Sequence, residues 1–188
     1  MKKKIAILGS TGSIGKQTLE IIKNNKKNFE IFLLSTNKNL KEISKQVKVF
    51  KPKNIIISNK KNFFLFKKKN KKIKVFNNYG NLKKIFPKKI DYVMSAISGF
   101  HGLQPTIEII KHTKSIAIAN KESIICGWNL INKELKKNKT KFVPVDSEHF
   151  SIWCLTNEKY ENIDEIYLTA SGGPFLNKKR QNLKNIKP

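Results

Sequence analysis

Lys4-Ile-Ala-Ile-Leu-Gly9-Ser-Thr-Gly12-Ser-Ile-Gly15 is the stretch around which the sequence organises itself. Ile5 to Leu8 form a short apolar run, the pattern of a strand buried on both faces. Three glycines follow at a spacing of three, and Lys16 to Lys23 then reads as a helix with Ile14, Leu19 and Ile22 turned towards a sheet. A strand, a glycine turn and a helix N-terminus make an anion site. The first N–H groups of the helix lack intrahelical partners, the dipole is positive there, and missing side chains let a pyrophosphate reach the backbone. The spacing is Gly-x-x-Gly-x-x-Gly, so Ser10 stands where the first or second glycine of the commoner Gly-x-Gly-x-x-Gly turn is expected. The competing reading is a purely structural turn in another α/β protein.

Outward from this stretch, short apolar runs alternate with helical spacers. Glu30–Leu34 reads as a second strand, Leu40–Phe50 as a helix and Asn54–Ser58 as a third strand. A helix within 60–72 carries the apolar patch Phe63–Phe66. Ile73–Phe76 is a fourth strand, and Tyr79–Phe86 a short helix stopped by Pro87. Asp91–Ser95 runs into a second glycine-bearing loop, Ala96-Ile-Ser-Gly99-Phe-His-Gly102. Leu103–Lys111 is helical with Pro105 in its first turn. Ser115–Ala119 and Lys141–Val145 are further strands flanking a helix over Glu122–Lys137, and Ile163–Thr169 is strand-like. The alternation predicts an α/β fold, a Rossmann-like doubly wound and mostly parallel sheet.

Composition narrows the function classes. Net charge is +26, from 39 Lys and Arg against 13 Asp and Glu, which invites a nucleic-acid or membrane reading. Arg180 is the only arginine, however, and the lysines are spread along the whole chain. Phosphate and base recognition favours arginine forks gathered on one face. Lys, Asn and Ile are over-used together, the mark of an AT-rich coding sequence, so neither nucleic acid nor membrane is expected as a partner. Two cysteines, Cys126 and Cys154, make no disulfide framework and suggest a reducing compartment. No apolar stretch approaches the ~18 residues that span a bilayer, and the apolar run near the N-terminus is too short for a signal peptide. The expectation is a soluble, cytoplasmic protein.

Chemistry-bearing residues gather at the predicted strand ends, where ligands of parallel sheets bind. After the second strand, where NAD-specific sites usually place a carboxylate for the ribose 2′-hydroxyl, Ile31 to Lys41 contains neither Asp nor Glu. Asn37, Lys38 and Asn39 stand there instead and suit a 2′-phosphate, which favours NADP over NAD. Ser115–Ala119 ends in Asn120-Lys-Glu-Ser123: Lys121 can hold an anionic or carbonyl oxygen, while Asn120 and Glu122 also read as the cap and first-turn acid of a helix. Lys141–Val145 ends in Asp146-Ser-Glu-His149. Two carboxylates two residues apart can ligate one hard divalent ion and so support Lewis-acid catalysis. They can equally be the start of a capped helix with Asp146 as N-cap. Ser171-Gly-Gly-Pro-Phe175 offers a hydroxyl and backbone N–H groups to a substrate oxygen.

These four motifs, Gly9–Gly15, Ala119–Ser123, Pro144–His149 and Ser171–Phe175, closely resemble in order and spacing those of the 1-deoxy-D-xylulose 5-phosphate reductoisomerases of non-mevalonate isoprenoid synthesis. The resemblance covers the whole chain. It implies an enzyme that uses NADPH and Mg²⁺ or Mn²⁺ to rearrange and then reduce a sugar phosphate, giving 2-C-methyl-D-erythritol 4-phosphate. It implies that Thr11, Gly12, Ser13 and Ile14 line the cofactor phosphates. Asn37, Lys38 and Asn39 would sit by the 2′-phosphate, Asn37 replacing the family's usual glycine. Asn120 and Glu122 would touch NADPH. Asp146 and Glu148 would ligate the metal, and Lys121, Ser147, Glu148 and Ser171 would meet the substrate, with Lys121 and Glu148 catalytic. Residues 1–145 would be the NADPH-binding domain, and 146–188 the opening of an α+β catalytic domain.

The family runs to about twice this length and dimerises. The resemblance therefore places the third metal carboxylate, the lid and the phosphate-gripping cluster beyond residue 188, and implies a fragment or a decayed gene product whose activity alone is doubtful. The alternative from another class is a non-catalytic dinucleotide-binding module. Aspartate-semialdehyde dehydrogenases share a glycine turn but need an activated cysteine, and Cys126 and Cys154 are expected in apolar surroundings without one.

Overall fold

The computed structural model describes residues 1–80, 82–156, 163–167, 177–179 and 181–182. Residues 1–150 form one compact unit and 151–188 a second. The first is built on a seven-stranded sheet: β1 (Lys3–Leu8), β2 (Phe29–Thr36), β3 (Asn54–Ile57), β4 (Lys74–Phe76), β5 (Ile90–Ser95), β6 (Thr113–Ile118) and β7 (Lys141–Pro144). Their spatial order is β4-β3-β2-β1-β5-β6-β7, and every pairing is parallel. The order reverses between β1 and β5, which makes their carboxyl ends the topological switch point.

Parallel neighbours need crossovers, and helices supply them. Helices α1 (Ser13–Asn24), α2 (Leu40–Phe50) and α3 (Lys60–Lys69) cover one face; α4 (Leu82–Ile85), α5 (Leu103–Ile110) and α6 (Lys121–Asn138) cover the other. The two-residue alternation of β1 makes the division visible. Ile5 and Ile7 pack with Leu19, Ile22, Ile43 and Phe66, whereas Ala6 and Leu8 pack with Ile85, Ile109, Ile131 and Leu135. Each large aliphatic side chain so buried contributes about 1.5–3 kcal/mol before its ordering cost. The apolar runs of the central strands are continuous because both of their faces are covered, whereas the edge strands β4 and β7 are only partly buried.

Three expectations are corrected. Ile14 does not turn towards the sheet; it is 37% exposed. The inward stripe of α1 is Gly15, Leu19 and Ile22 at helical spacing, and Ile14 lies about 100° away from Gly15. Cys126 and Cys154 are exposed, not surrounded by apolar groups; the buried stripe of α6 is Ser123, Gly127, Ile131 and Leu135, which leaves Cys126 outside. Residues 163–167 adopt no strand, and Ile166 and Tyr167 remain 56% and 84% exposed; positions 168 and 169 lie outside the described residues. In the same unit, residues 151–156 continue helix α7 (Ser147–Thr156). Among the described residues no helix is long and apolar enough to cross a membrane.

Candidate functional site

Gly9 follows β1 with φ +77°, the left-handed region that favours glycine. A Cβ there would lie 2.5 Å from the Ala96 carbonyl oxygen, so the turn after β1 can touch the loop after β5 only without a side chain. Gly15 serves helix packing: its Cβ would lie 2.4 Å from the Gly9 oxygen and 2.6 Å from Ser10 Cα. Gly12 has ordinary room for a Cβ and enters α1 in extended conformation. Ser13 and Ile14 form the exposed first positions of α1, and no acidic residue sits in that first turn to compete with an anion.

The turn opens on a groove of about 560 Å³ at the switch point. Thr11, Gly12, Thr36 and Asn37 line this groove, with Thr11 and Thr36 hydroxyls 2.8 Å apart. Ala96, Ile97, Ser98, His101 and Gln104, after β5, also line it, as do Ser58, after β3, and Tyr79, after β4. Burial pushes the Tyr79 phenol up to about 12, so it stays protonated, 2.9 Å from Ser35 Oγ. Tyr79, His101 and Gln104 had no assigned role in the sequence reading. The signal was available in part: the second glycine loop ends a strand, and strands flanking the switch point face one groove.

Asn37, Lys38 and Asn39 are all exposed at the end of β2. Asn37 lines the groove. Lys38 and Asn39 do not, and the structure gives both structural attachments: the Lys38 carbonyl accepts from Asn62 Nδ2 at 2.9 Å, and Asn39 caps α2 by accepting from Glu42 N–H at 3.0 Å. Asn120 is buried and also caps, accepting from Ser123 N–H at 2.5 Å; its amide nitrogen donates to the carbonyls of Gly99, at 2.7 Å, and Ile97. It thereby ties the β5 loop to α6. Glu122 lies exposed in the first turn of α6.

At the ends of β6 and β7 the charged residues meet. Lys121 Nζ lies 2.5 Å from Asp146 Oδ1, and His149 Nδ1 2.6 Å from Oδ2. The Lys121 ammonium, seconded by the His149 ring, holds the Asp146 carboxyl far below the usual carboxylate range, and the carboxylate in turn raises Lys121. Asp146 does begin a helix, its carbonyl accepting from Phe150 N–H at 2.8 Å. Glu148 is exposed in the first turn of α7 and accepts from the Ser147 hydroxyl at 3.0 Å. Among the described residues, no three His, Cys, Asp or Glu side chains gather as a metal cage. Beside this corner is an apolar groove of about 430 Å³, lined by Ile124, Ile125, Trp128 and Phe142 among others. Trp128 and Phe142 meet edge to face at 5.5 Å. Ser171 lies outside the described residues.

A doubly wound parallel sheet with a glycine turn at its switch point places this chain in the Rossmann-like class. The chain belongs to the 1-deoxy-D-xylulose 5-phosphate reductoisomerase family: that family's profile matches residues 5–127, and the profile of the family's C-terminal domain matches 142–188. It is 62% identical to the reductoisomerase of Pelagibacter ubique over 98% of this chain and 49% of that protein. It is 40% identical to that of Clostridium tetani, over 98% and 50%. A reductoisomerase structure from Zymomonas mobilis in complex with NADPH superposes with TM-score 0.83 at 29% identity, covering 99% of this chain and 50% of that one. A second, in complex with NADPH, fosmidomycin and magnesium, gives 0.82 at 30%, covering 98% and 49%. The chain spans about half the length of the relatives it matches.

Proposed function

We propose that this chain provides the NADPH-binding part and the first metal carboxylates of a 1-deoxy-D-xylulose 5-phosphate reductoisomerase. Residues 1–145 bind the cofactor and 146–188 open the catalytic domain, of an enzyme that works as a homodimer and yields 2-C-methyl-D-erythritol 4-phosphate. The observation that carries this reading is the glycine turn at the switch point. Gly9 and Gly15 leave no room for side chains, an acid-free helix start faces outward, and about 560 Å³ of groove lies beside it. That cradle fits a dinucleotide. Thr11, Gly12, Ser13 and Ile14 receive the diphosphate, Asn37, Lys38 and Asn39 the 2′-phosphate, and Asn120 and Glu122 border the nicotinamide end.

Asp146 and Glu148 are hard oxygen donors two residues apart, a set that suits Mg²⁺ or Mn²⁺ with water completing the shell. An ion held there would polarise the ketone and hydroxyl oxygens of the sugar phosphate. Lys121 neutralises Asp146 and, when an ion takes that carboxylate, its ammonium is released towards a substrate oxygen. Ser147 and Ser171 contribute hydroxyls to the substrate.

Paired titrations of NADPH and NADH on the wild type and on Lys38→Glu test the cofactor reading. The wild type prefers NADPH, and Lys38→Glu narrows the preference by about tenfold, as expected when a charge-assisted phosphate contact becomes repulsive. Equal wild-type affinities would refute it. The 188 residues alone, supplied with Mn²⁺ and 1-deoxy-D-xylulose 5-phosphate, bind NADPH without consuming it, since half of the relatives' length has no counterpart in them; steady NADPH oxidation would overturn that assignment.

A further inference from the structure

Ser10, the residue that stands where a glycine of the commoner turn is expected, is fully buried, and all three of its polar groups are engaged. Its N–H donates to the Ser35 carbonyl at 2.9 Å. Its hydroxyl donates to Gln46 Oε1 at 2.7 Å, with the Ser35 carbonyl a longer alternative at 3.2 Å. Its carbonyl accepts from Gln46 Nε2 at 2.8 Å. Gln46 lies 36 positions away on α2 and is itself only 4% exposed. A glutamine in an amphipathic helix is ordinarily solvated; this one is buried and bonds both ends of its amide to one residue of the glycine turn, with Glu42 Oε1 a longer partner of its amide nitrogen at 3.4 Å.

The consequence follows from peptide geometry. In a planar trans peptide the C=O of one residue and the N–H of the next point in opposite directions. Gln46 borders the space between α1 and α2, whereas Thr11 lines the groove on the other side of the turn. Drawing the Ser10 carbonyl towards Gln46 therefore aims the Thr11 N–H at the groove. Without that donor, the buried Ser10 carbonyl would lack a partner, and the peptide would be free to rotate towards water.

We propose that Gln46 is a positioning residue for the diphosphate end of the cofactor site: it fixes the Ser10–Thr11 peptide in the orientation that presents Thr11 N–H to the ligand. This rests on the cofactor reading above. Because α2 begins directly after Asn37–Asn39, the same helix carries the 2′-phosphate turn at its start and the clamp on the glycine turn at its seventh residue. The two ends of the dinucleotide are thereby held in register by one helix.

The test uses two fragments of the cofactor on wild type and Gln46→Met, a side chain of similar length with no hydrogen-bonding amide. ADP-ribose carries the diphosphate without a 2′-phosphate; adenosine 2′-monophosphate carries the reverse. In Gln46→Met the Kd for ADP-ribose rises roughly tenfold, the scale of one lost hydrogen bond to a charged ligand, while that for adenosine 2′-monophosphate stays within about twofold. Ser10→Ala, which removes the hydroxyl arm and keeps the carbonyl arm, retains most of the ADP-ribose affinity. If Gln46→Met fails to fold, Gln46→Glu, which sets a carboxylate against the Ser10 carbonyl, is expected to show the same selective loss. Equal weakening of both fragments, or of neither, overturns the inference while leaving the cofactor reading intact. A wild type that binds neither fragment overturns both.

Discussion

The glycine turn and the Asp146 corner both follow the carboxyl ends of strands in one sheet, yet they are held in different ways. Ser10 is buried and bonded on three sides, Gly9 N–H donates to Ser35 Oγ at 2.9 Å, and Gly12 N–H closes on Gly9 O at 3.0 Å. The Asp146 corner rests on two exposed partners, Lys121 and His149, whose side chains are 68% and 77% accessible. An anion cradle made of backbone must be rigid before the ligand arrives, because N–H groups cannot change rotamer. If Asp146 takes a metal ion, as proposed above, it gains from partners that can leave. The difference is between a preorganised site and an exchangeable one, and substitutions at the two places should behave accordingly.

The largest effect is expected where the turn is tightest. Gly9→Ala forces a β-carbon into left-handed backbone and to 2.5 Å from the Ala96 oxygen, a backbone atom that cannot swing away. The strain of each kind is on the order of 1–3 kcal/mol. Denaturant unfolding should show a loss of about 2–6 kcal/mol, with NADPH binding abolished in whatever remains folded. A variant as stable as wild type would mean that the turn is not tightly determined.

The middle effect belongs to the exchangeable corner. Two carboxylates leave most of a divalent ion's oxygen shell to water, and Lys121 competes for one of them at 2.5 Å. Calorimetry with Mn²⁺ should therefore show weak binding that disappears in Asp146→Asn, and strengthens several-fold in Lys121→Met as the competing ammonium is removed. Tight binding indifferent to Asp146→Asn would place the metal elsewhere in the chain.

Much of this architecture was legible because buried parallel strands leave a strong local trace. Apolar runs such as Ile5–Leu8 and Asn54–Ile57, cut by glycine or asparagine, locate the strands to within a few residues, and Leu40–Phe50 is a helix over the range its periodicity predicted. What the sequence shows of the candidate site is local: the glycine turn Gly9–Gly15 after β1, and Asp146 and Glu148 following β7, whose metal role stays a proposal. Contacts made by one side chain across the fold leave no period to read. Lys121 meets Asp146 only because β6 lies beside β7, Gln46 finds Ser10 only through the packing of α2, and Tyr79 reaches Ser35 across 44 positions. Ile14 was misread for a related reason. An apolar residue near a helix start suggests a stripe, but the close approach of the turn to α1 reserves that position for Gly15.

The smallest effect separates an ordinary ion pair from the exchangeable one. Asp91 opens the amino end of β5, away from the groove, and Lys114 Nζ lies 2.8 Å from its Oδ1. The Lys114 contact first, and the Lys4 backbone N–H at 2.9 Å second, lower the Asp91 carboxyl below its usual value. A depressed folded-state value means the group binds fewer protons when folded, so the pair stabilises above the unfolded value of about 3.9 and that contribution is lost as pH falls through the folded value. Lys114 is 66% accessible, so solvent screens the pair and its worth is on the order of 0.2–1 kcal/mol. Lys114→Met should thus cost a few tenths of a kcal/mol at pH 7. The gap to wild type should begin to narrow below about pH 4 and close once pH falls through the lowered value of folded Asp91, and should also shrink at 1 M salt, where the Debye length is about 3 Å. The Lys4 N–H remains in the variant, so part of the acid dependence survives there. A gap that persists unchanged at pH 2 would show that Lys114 acts through its alkyl stem and not through its charge.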